Sequence, residues 1–357
     1  MAVMREVLID ALRDPSRVPH DTIAWEALIR RGREAGLLGT LAWRLSERGL
    51  LDAVPAAPRA HLRAALVVCR AQEAAVHREV REIVRALRGI GAPIVLLKGA
   101  AYLLAELPPA QGRVFSDVDI LVPKGALPDV ESALMLAGFA TTHHHPYDQR
   151  YYRRWMHELP PMQHVKRLTV LDVHHTIVPA TGRVRLDASN LFRASVALTQ
   201  HAELQVLAPA DMVLHSATHL FQNEDLTHGL RDLVDIHALL THFGARPRFF
   251  AELASRAEEL DVMRPLFYAL RFASRLFDMD VPREVVDAVS RHGPRPPLSR
   301  AMDMLLGAAL MPDAARASTR LARQALYVRG HWLRMPVPLL AWHLTVKAFR
   351  REEGQPA

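Results

Sequence analysis

Residues 113 to 123, RVFSDVDILVP, place two aspartates at strand spacing directly ahead of an unbroken apolar run. Strand side chains alternate between faces, so Asp117 and Asp119 point one way and Val118 and Ile120 the other. Ile120, Leu121 and Val122 demand burial, and Pro123 stops the strand. Two like charges on one face repel and weaken a strand. A cation held between them would relieve that repulsion, whereas a solvent-facing edge would merely tolerate it. On either reading the fragment requires a sheet with a buried strand that is carboxylate-bearing at one end.

The flanking sequence supplies that sheet and little else that is extended. Residues 1–90 read as helices. A pair breaks near Gly36 and Gly39. A long amphipathic helix then runs from about Pro58 to Gly89, with Leu62, Leu66, Cys69, Val76, Val80, Ile83 and Leu87 mostly three or four apart. The period then changes. PIVLL (93–97) is a short buried strand, and KGAAYLLAEL turns into a helix. After SDVDILV come a helix ending at Gly138, a third strand at FATTHH, and a loop over 143–164 with a candidate strand near YYRRWMHEL. RLTVLDVHHTI (167–177) is a further strand. From 187 onward the apolar positions return to helical spacing. The expected class is therefore α+β, a small mixed sheet flanked by helices. The expected regions are 1–90 (helical), 91–186 (α/β core) and 187–357 (helical).

Composition narrows the function. Cys69 is the sole cysteine, which excludes an intrachain disulfide and a thiolate metal site. The opening residues carry acidic groups and lack an apolar core, so they do not read as a signal peptide. No run of about 18 apolar residues suggests a transmembrane helix, and a cytoplasmic protein is expected. The net charge is +7, yet all but four of the 45 basic residues are arginines scattered along helices. Aromatics make up only 6%. No basic aromatic stripe marks a nucleic-acid surface, so nucleic acid is the least favoured partner.

Three features carry chemistry. The strand–turn–helix VLLKGAAYLL has a glycine where backbone can approach a ligand and a helix start that favours anions, with Lys98 beside it. Asp117 and Asp119 form the second feature. Asp172, within LTVLDVHH, is the third, and joins the other two carboxylates if its strand pairs beside 116–122. Three carboxylates on adjacent strands suit a hard cation such as Mg²⁺ or Mn²⁺. Two such ions clamp the attacking and leaving oxygens in phosphoryl chemistry. Other readings stand beside these. His174 or His175 could orient Asp172 or sit satisfied in the core. His215 and His219, four apart on a helix, could ligate metal with Asp235 as in a helical phosphohydrolase, or simply pack where the regions meet. Asp232 and Asp235 with Arg231 could be an interdomain ion pair, and Asp235 could reach substrate. The tract His143–His145 and the segment YDQRYYRR (147–154) could face substrate or stack a base. The apolar, basic tail from 329 could pack on the body or lie on a membrane surface.

In order and spacing these motifs resemble the uncharacterised bacterial branch of the nucleotidyltransferase superfamily that includes DNA polymerase β. The matching residues are Leu97-Lys98-Gly99, Arg113 through Val122, His157-Glu158-Leu159-Pro160-Pro161 and Asp172-Val173-His174, with later helical segments at 215–219 and 230–235. The resemblance implies a nucleotidyltransferase core and a two-metal enzyme that moves a nucleoside monophosphate from an NTP, preferentially ATP, to a hydroxyl, releasing pyrophosphate. Asp117, Asp119 and Asp172 would be catalytic and hold Mg²⁺ or Mn²⁺. Lys98, Gly99, Arg113 and Ser116 would form the nucleotide-binding set, with His174 and Asp235 near the substrate. The acceptor would be a small molecule or a protein. Better-known members carry Gly-Ser at the turn, nearer the first aspartate. Here it is Gly99-Ala100, with Asp117 18 positions after Gly99, and Lys98 stands where it could replace the serine contact. A metal-dependent phosphohydrolase, or a non-catalytic nucleotide- or protein-binding module of the same fold, is the alternative.

Overall fold

The computed structural model describes residues 7–340, apart from 20, 144, 224, 314, 337 and 339. It is an α+β fold in which helices flank a seven-stranded mixed sheet. Four helices come first: α1 (Val7–Arg13), α2 (Thr22–Glu34), α3 (Leu38–Glu47) and α4 (Ala56–Leu87). Gly36, at φ +66°, makes the break between α2 and α3. The regular spacing along α4 buries Leu62, Cys69, Val76, Val80, Ile83 and Leu87 on one side. Glu79, on that buried side, is held by Arg167 at 2.7 and 2.8 Å and by Thr169 at 3.2 Å. That bidentate pair ties α4 to the entrance of a sheet strand.

The sheet is built from β1 (Ile94–Leu97), β2 (Asp117–Leu121), β3 (Phe139–Thr141), β4 (Met162–His164), β5 (Val170–His174), β6 (Val196–Leu198) and β7 (His201–Val206), in the order β3-β4-β5-β2-β1-β7-β6. Helix α5 (Lys98–Leu104) follows β1, and α6 (Leu127–Leu136) follows β2. The centre, β1 and β2, is apolar apart from Asp117 and Asp119 and buried apart from Asp117, as strands covered on both faces tend to be. β2 runs antiparallel to β1 and parallel to β5.

Besides β4, which closes a segment expected as loop, two parts of the chain differ from the sequence expectation. The segment near YYRRWMHEL is helix α7 (Pro146–Trp155), not a strand. Its Tyr and Trp residues favour strands by propensity. Pro146 at the helix start, capped by the His145 side chain accepting from the Tyr147 amide, decides otherwise. Tyr147, Tyr151 and Trp155 then meet at four-residue spacing, with Tyr147 stacked on Tyr151. Of the 143–145 histidine tract, position 144 lies outside the described residues. The second difference is at residues 196–206, expected to be helical, which instead complete the sheet as β6 and β7. β7 pairs parallel with β1, Ile94 opposite Leu204. Only Leu204 and Val206 of β7 point into the core, too short an alternation to stand out among helices.

The remaining helices are α8 (Ser189–Ala194), α9 (Pro209–Gln222), α10 (Gly229–Gly244), α11 (Phe249–Glu259), α12 (Met263–Phe277), α13 (Arg283–Ser290), α14 (Leu298–Ala309) and α15 (Ala317–Arg334). The tail beyond 340 lies outside the described residues. Among the described residues no helix is long and apolar enough to cross a membrane.

One close approach fixes the loop that leads into β2. A Cβ on Gly112, at φ +67°, would lie 2.4 Å from the Gly39 carbonyl oxygen at the start of α3. Both partners are backbone, so neither can yield cheaply. Gly112→Ala should lower unfolding free energy by about 2 kcal/mol or more, read as a lower urea midpoint at unchanged slope. A midpoint within error of the parent would show that the loop relaxes freely.

Candidate active site

The register of three strands assembles the site. Leu97 of β1 lies opposite Asp119 of β2, and Asp119 lies beside Asp172 of β5. Asp117 shares the face of Asp119, as the strand period requires. Lys98 follows β1 at φ 44°, a left-handed conformation that a lysine adopts at some cost. It directs Nζ to 2.9 Å from Asp119 Oδ1. His174, two residues after Asp172, places Nε2 3.0 Å from the same oxygen. The structure thus brings Lys98, Asp117, Asp119, Asp172 and His174 together, with Ser116 donating its hydroxyl to Asp117 Oδ1 at 2.9 Å.

Electrostatics separates the three carboxyls. Burial disfavours charge on Asp119, but Lys98 and His174 outweigh it and hold Asp119 well below the usual carboxylate range. Burial and the nearby Asp119 raise Asp117. Burial, then Asp119 and Glu158, push Asp172 up to about 7. Oδ1 of Asp172 is buried without a hydrogen-bond partner. Burial also works against charge on Lys98, yet Asp119 and Asp117 prevail and raise it. His174 is raised as well, since Asp119 and Glu158 overcome its burial.

Glu158 and His157 stand in the HELPP motif without a role legible from sequence, and both prove to belong here. Glu158 pairs across an isolated antiparallel bridge with His174. Its Oε2 lies 3.3 Å from His174 Nδ1, and the His157 ring stacks on His174 at 5.3 Å between centroids. Donor atoms of His157, Glu158 and His174 all fall within 4.8 Å of one another, a spacing that the three aspartates do not reach among the described residues.

Arg113, Asp235 and Gly99 line the same cavity and also make structural contacts. Arg113 Nε donates to Asp235 Oδ2 at 3.0 Å, with both side chains buried. The pair joins the loop before β2 to α10. Gly99 lies under it, where a Cβ would meet Arg113 Nη1 at 2.6 Å and Phe115 at 3.1 Å. The sequence reading paired the acids of α10 with Arg231. Arg231 does bond Asp232, at 3.1 Å, whereas Asp235 belongs to Arg113. His215 is buried and driven down to about 3 by that burial. His219 lies 3.9 Å from Asp232. Among the described residues, His215, His219 and Asp235 do not converge as a metal-ligand group.

A cavity of about 320 Å³ opens over the carboxylates. Its sheet side carries Lys98, Asp117, Asp119, Glu158, Asp172 and His174. Tyr151 and Tyr152 of α7 form one wall. His219, Asn223, Arg231 and Asp232 from the helical side, with Arg334 at the end of α15, form another.

A family model described as uncharacterised nucleotidyltransferase matches residues 21–278. The chain belongs to that family. The matched span holds all seven strands and α2 to α12, so the family region carries the carboxylate cluster and most of the cavity; Arg334 comes from beyond it. Neither the curated proteins nor the solved structures contain a significant match. The family description supports nucleotidyl transfer as the general role and a nucleoside triphosphate as substrate.

Proposed function

We propose that the protein is a metal-dependent nucleotidyltransferase that moves a nucleoside monophosphate, with ATP the favoured donor, to a hydroxyl on a small molecule or a protein. The observation that carries this reading is the register Asp119–Asp172, which puts a third, partnerless carboxylate beside the DxD pair on the floor of a cavity.

A hard divalent cation takes only one or two carboxylates, with water and phosphate as its other ligands, so these three aspartates suit it without converging on a single ion. Asp117, Asp119 and Asp172 supply oxygen donors, the kind Mg²⁺ and Mn²⁺ prefer. Asp172 Oδ1 is a buried acceptor with no hydrogen-bond partner, a need that a bound cation would meet. When bound, the ion would neutralise phosphate charge and make the acceptor hydroxyl more acidic.

In the reaction the acceptor hydroxyl gives up its proton to solvent as its oxygen forms a bond to the α-phosphorus. The bond from that phosphorus to the bridging oxygen of the β-phosphate breaks, and pyrophosphate departs with the bonding pair. Lys98 offsets negative charge where the triphosphate meets Asp119. His174 and Lys98 hold the Asp119 carboxylate in one orientation through its Oδ1. Arg231 and Arg334 add positive charge on the helical wall, and Tyr151 and Tyr152 offer aromatic faces to the base. Fixed charges and in-line positioning would supply most of the acceleration.

The test is transfer of label from each α-³²P nucleoside triphosphate, with Mg²⁺ or Mn²⁺, to components of a lysate. Label on an acceptor with wild type, and none with Asp117→Asn/Asp119→Asn, is the expected result. No transfer with any nucleotide or metal would reject the reading.

A further inference from the structure

We propose that His157, Glu158 and His174 form a binding site for one transition-metal ion of the Zn²⁺ class, separate from the hard-cation set of aspartates.

Geometry comes first. His174 Nδ1 and Glu158 Oε2 are 3.3 Å apart, and His157 Nε2 and Glu158 Oε2 are 3.7 Å apart. A tetrahedral ion with bonds of about 2.0–2.1 Å has ligand–ligand edges of about 3.3–3.4 Å. Of the three edges, that from Glu158 to His174 already matches, that from Glu158 to His157 needs to close by a few tenths of an ångström, and that between the two histidines lies within 4.8 Å. Backbone pairing holds the three residues in place. The Leu159 amide donates to Val173 O and the His175 amide to His157 O, each at 2.9 Å. These bonds flank the Glu158–His174 bridge and leave the two imidazoles stacked.

Chemistry comes second. Both imidazoles are more than nine-tenths buried; of the two ring nitrogens that face Glu158, His174 Nδ1 has no hydrogen-bond partner, and His157 presents its Nε2. His174 Nδ1 is close to Glu158 but off the line of an N–H donor. Leaving such atoms unsatisfied in the interior is costly. Two ring nitrogens and one carboxylate oxygen suit Zn²⁺ and its neighbours better than Mg²⁺, which prefers oxygen ligands throughout.

The surroundings come third. His174 bonds Asp119 Oδ1 through Nε2. A ligand imidazole whose other nitrogen donates to a carboxylate is the usual support of a histidine-bound metal, and it fixes the tautomer that leaves Nδ1 for the ion. All three residues line the cavity, so an ion has a route in and an open coordination position facing substrate. It would stand one hydrogen bond from Asp119.

The test uses tag-free, chelator-stripped full-length protein, titrated with Zn²⁺ by calorimetry and with Co²⁺ by visible absorption. The expected result is one equivalent bound, with Co²⁺ bands of low-coordinate type. Affinity should fall at least about tenfold in His157→Ala and in Glu158→Gln, and persist in Asp117→Asn. Circular dichroism checks each fold. If His157→Ala does not fold, the near-isosteric Glu158→Gln decides. No stoichiometric binding, binding indifferent to Glu158→Gln, or binding lost only with Asp117→Asn would each overturn the proposal. Neither titration contains nucleotide, so the outcome is independent of whether nucleotidyl transfer occurs.

Discussion

Asp172→Asn should abolish nucleotidyl transfer and at the same time stabilise the metal-free protein at pH 8. Burial, Asp119 and Glu158 all oppose its charge and push its carboxyl up to about 7. In the unfolded chain the group returns to the ordinary value near 4. Between about pH 4 and 7 the folded state therefore binds more protons than the unfolded state. Stability contributed by the protonated carboxyl is present below about pH 4, falls as pH rises through 7, and stays low above it. The full shift corresponds to at most about 4 kcal/mol, and partial solvent access argues for about 1–2 kcal/mol. The amide of the Asp172→Asn variant carries no charge, so this slope disappears with it. Urea midpoints from pH 4 to 8 in chelator should diverge, with the variant increasingly ahead of wild type. Added Mg²⁺ should reverse the order by stabilising wild type more. Transfer should fall at least about a hundredfold. A variant less stable than wild type at pH 8 in chelator would mean that the carboxylates do not repel one another in the folded protein.

This opposition of stability and activity explains why the aspartates were readable at all. The DxD pair and Asp172 each violate what a buried strand wants, and such local conflicts stand out against an otherwise consistent pattern. The alternation of β2 and β5 announced which residues share a face, so one assumed pairing was enough to bring Asp172 to Asp119. Glu158 had no comparable signal. Its place depends on a single bridge to His174 across an irregular segment, and the HELPP motif marks the segment without saying what it faces. Helix α7 lies in a segment that reads as loop with a candidate strand, because its aromatic residues favour extended chain and Pro146 looks like a breaker although it starts the helix. Strands β6 and β7 were missed because their inward apolar residues are too few to show a period. Gly99 reads as ligand-facing from its place in the turn and does line the cavity, while the space where a Cβ would stand holds the Arg113 guanidinium, which no local pattern announces. Long-range pairing of charges, Arg113 with Asp235 above all, leaves no local trace.

That pair gives the largest expected effect on stability. Asp235→Ala should cost about 3–5 kcal/mol, because it strands the Arg113 guanidinium in the interior. Burial opposes the charge on Arg113, but Asp235 and Asp232 more than compensate and hold it protonated. An arginine cannot escape by losing its proton, so the whole penalty falls on the fold. The pair also spans the loop before β2 and helix α10, so its loss should loosen the cavity's helical wall. Arg113→Met/Asp235→Leu removes both charges together and should recover much of the loss, since well-packed apolar residues often replace a buried ion pair with little penalty. Urea unfolding of the wild type, both single variants and the double variant closes the cycle. Asp235 was also a candidate for touching substrate, and the same variants separate the two roles. If the pair serves only the fold, transfer by the double variant should recover with its stability; recovered stability without transfer would leave Arg113 or Asp235 a role toward substrate. If Asp235→Ala instead keeps the wild-type urea midpoint yet loses transfer, then Arg113 does not depend on it, and Asp235 acts on the substrate.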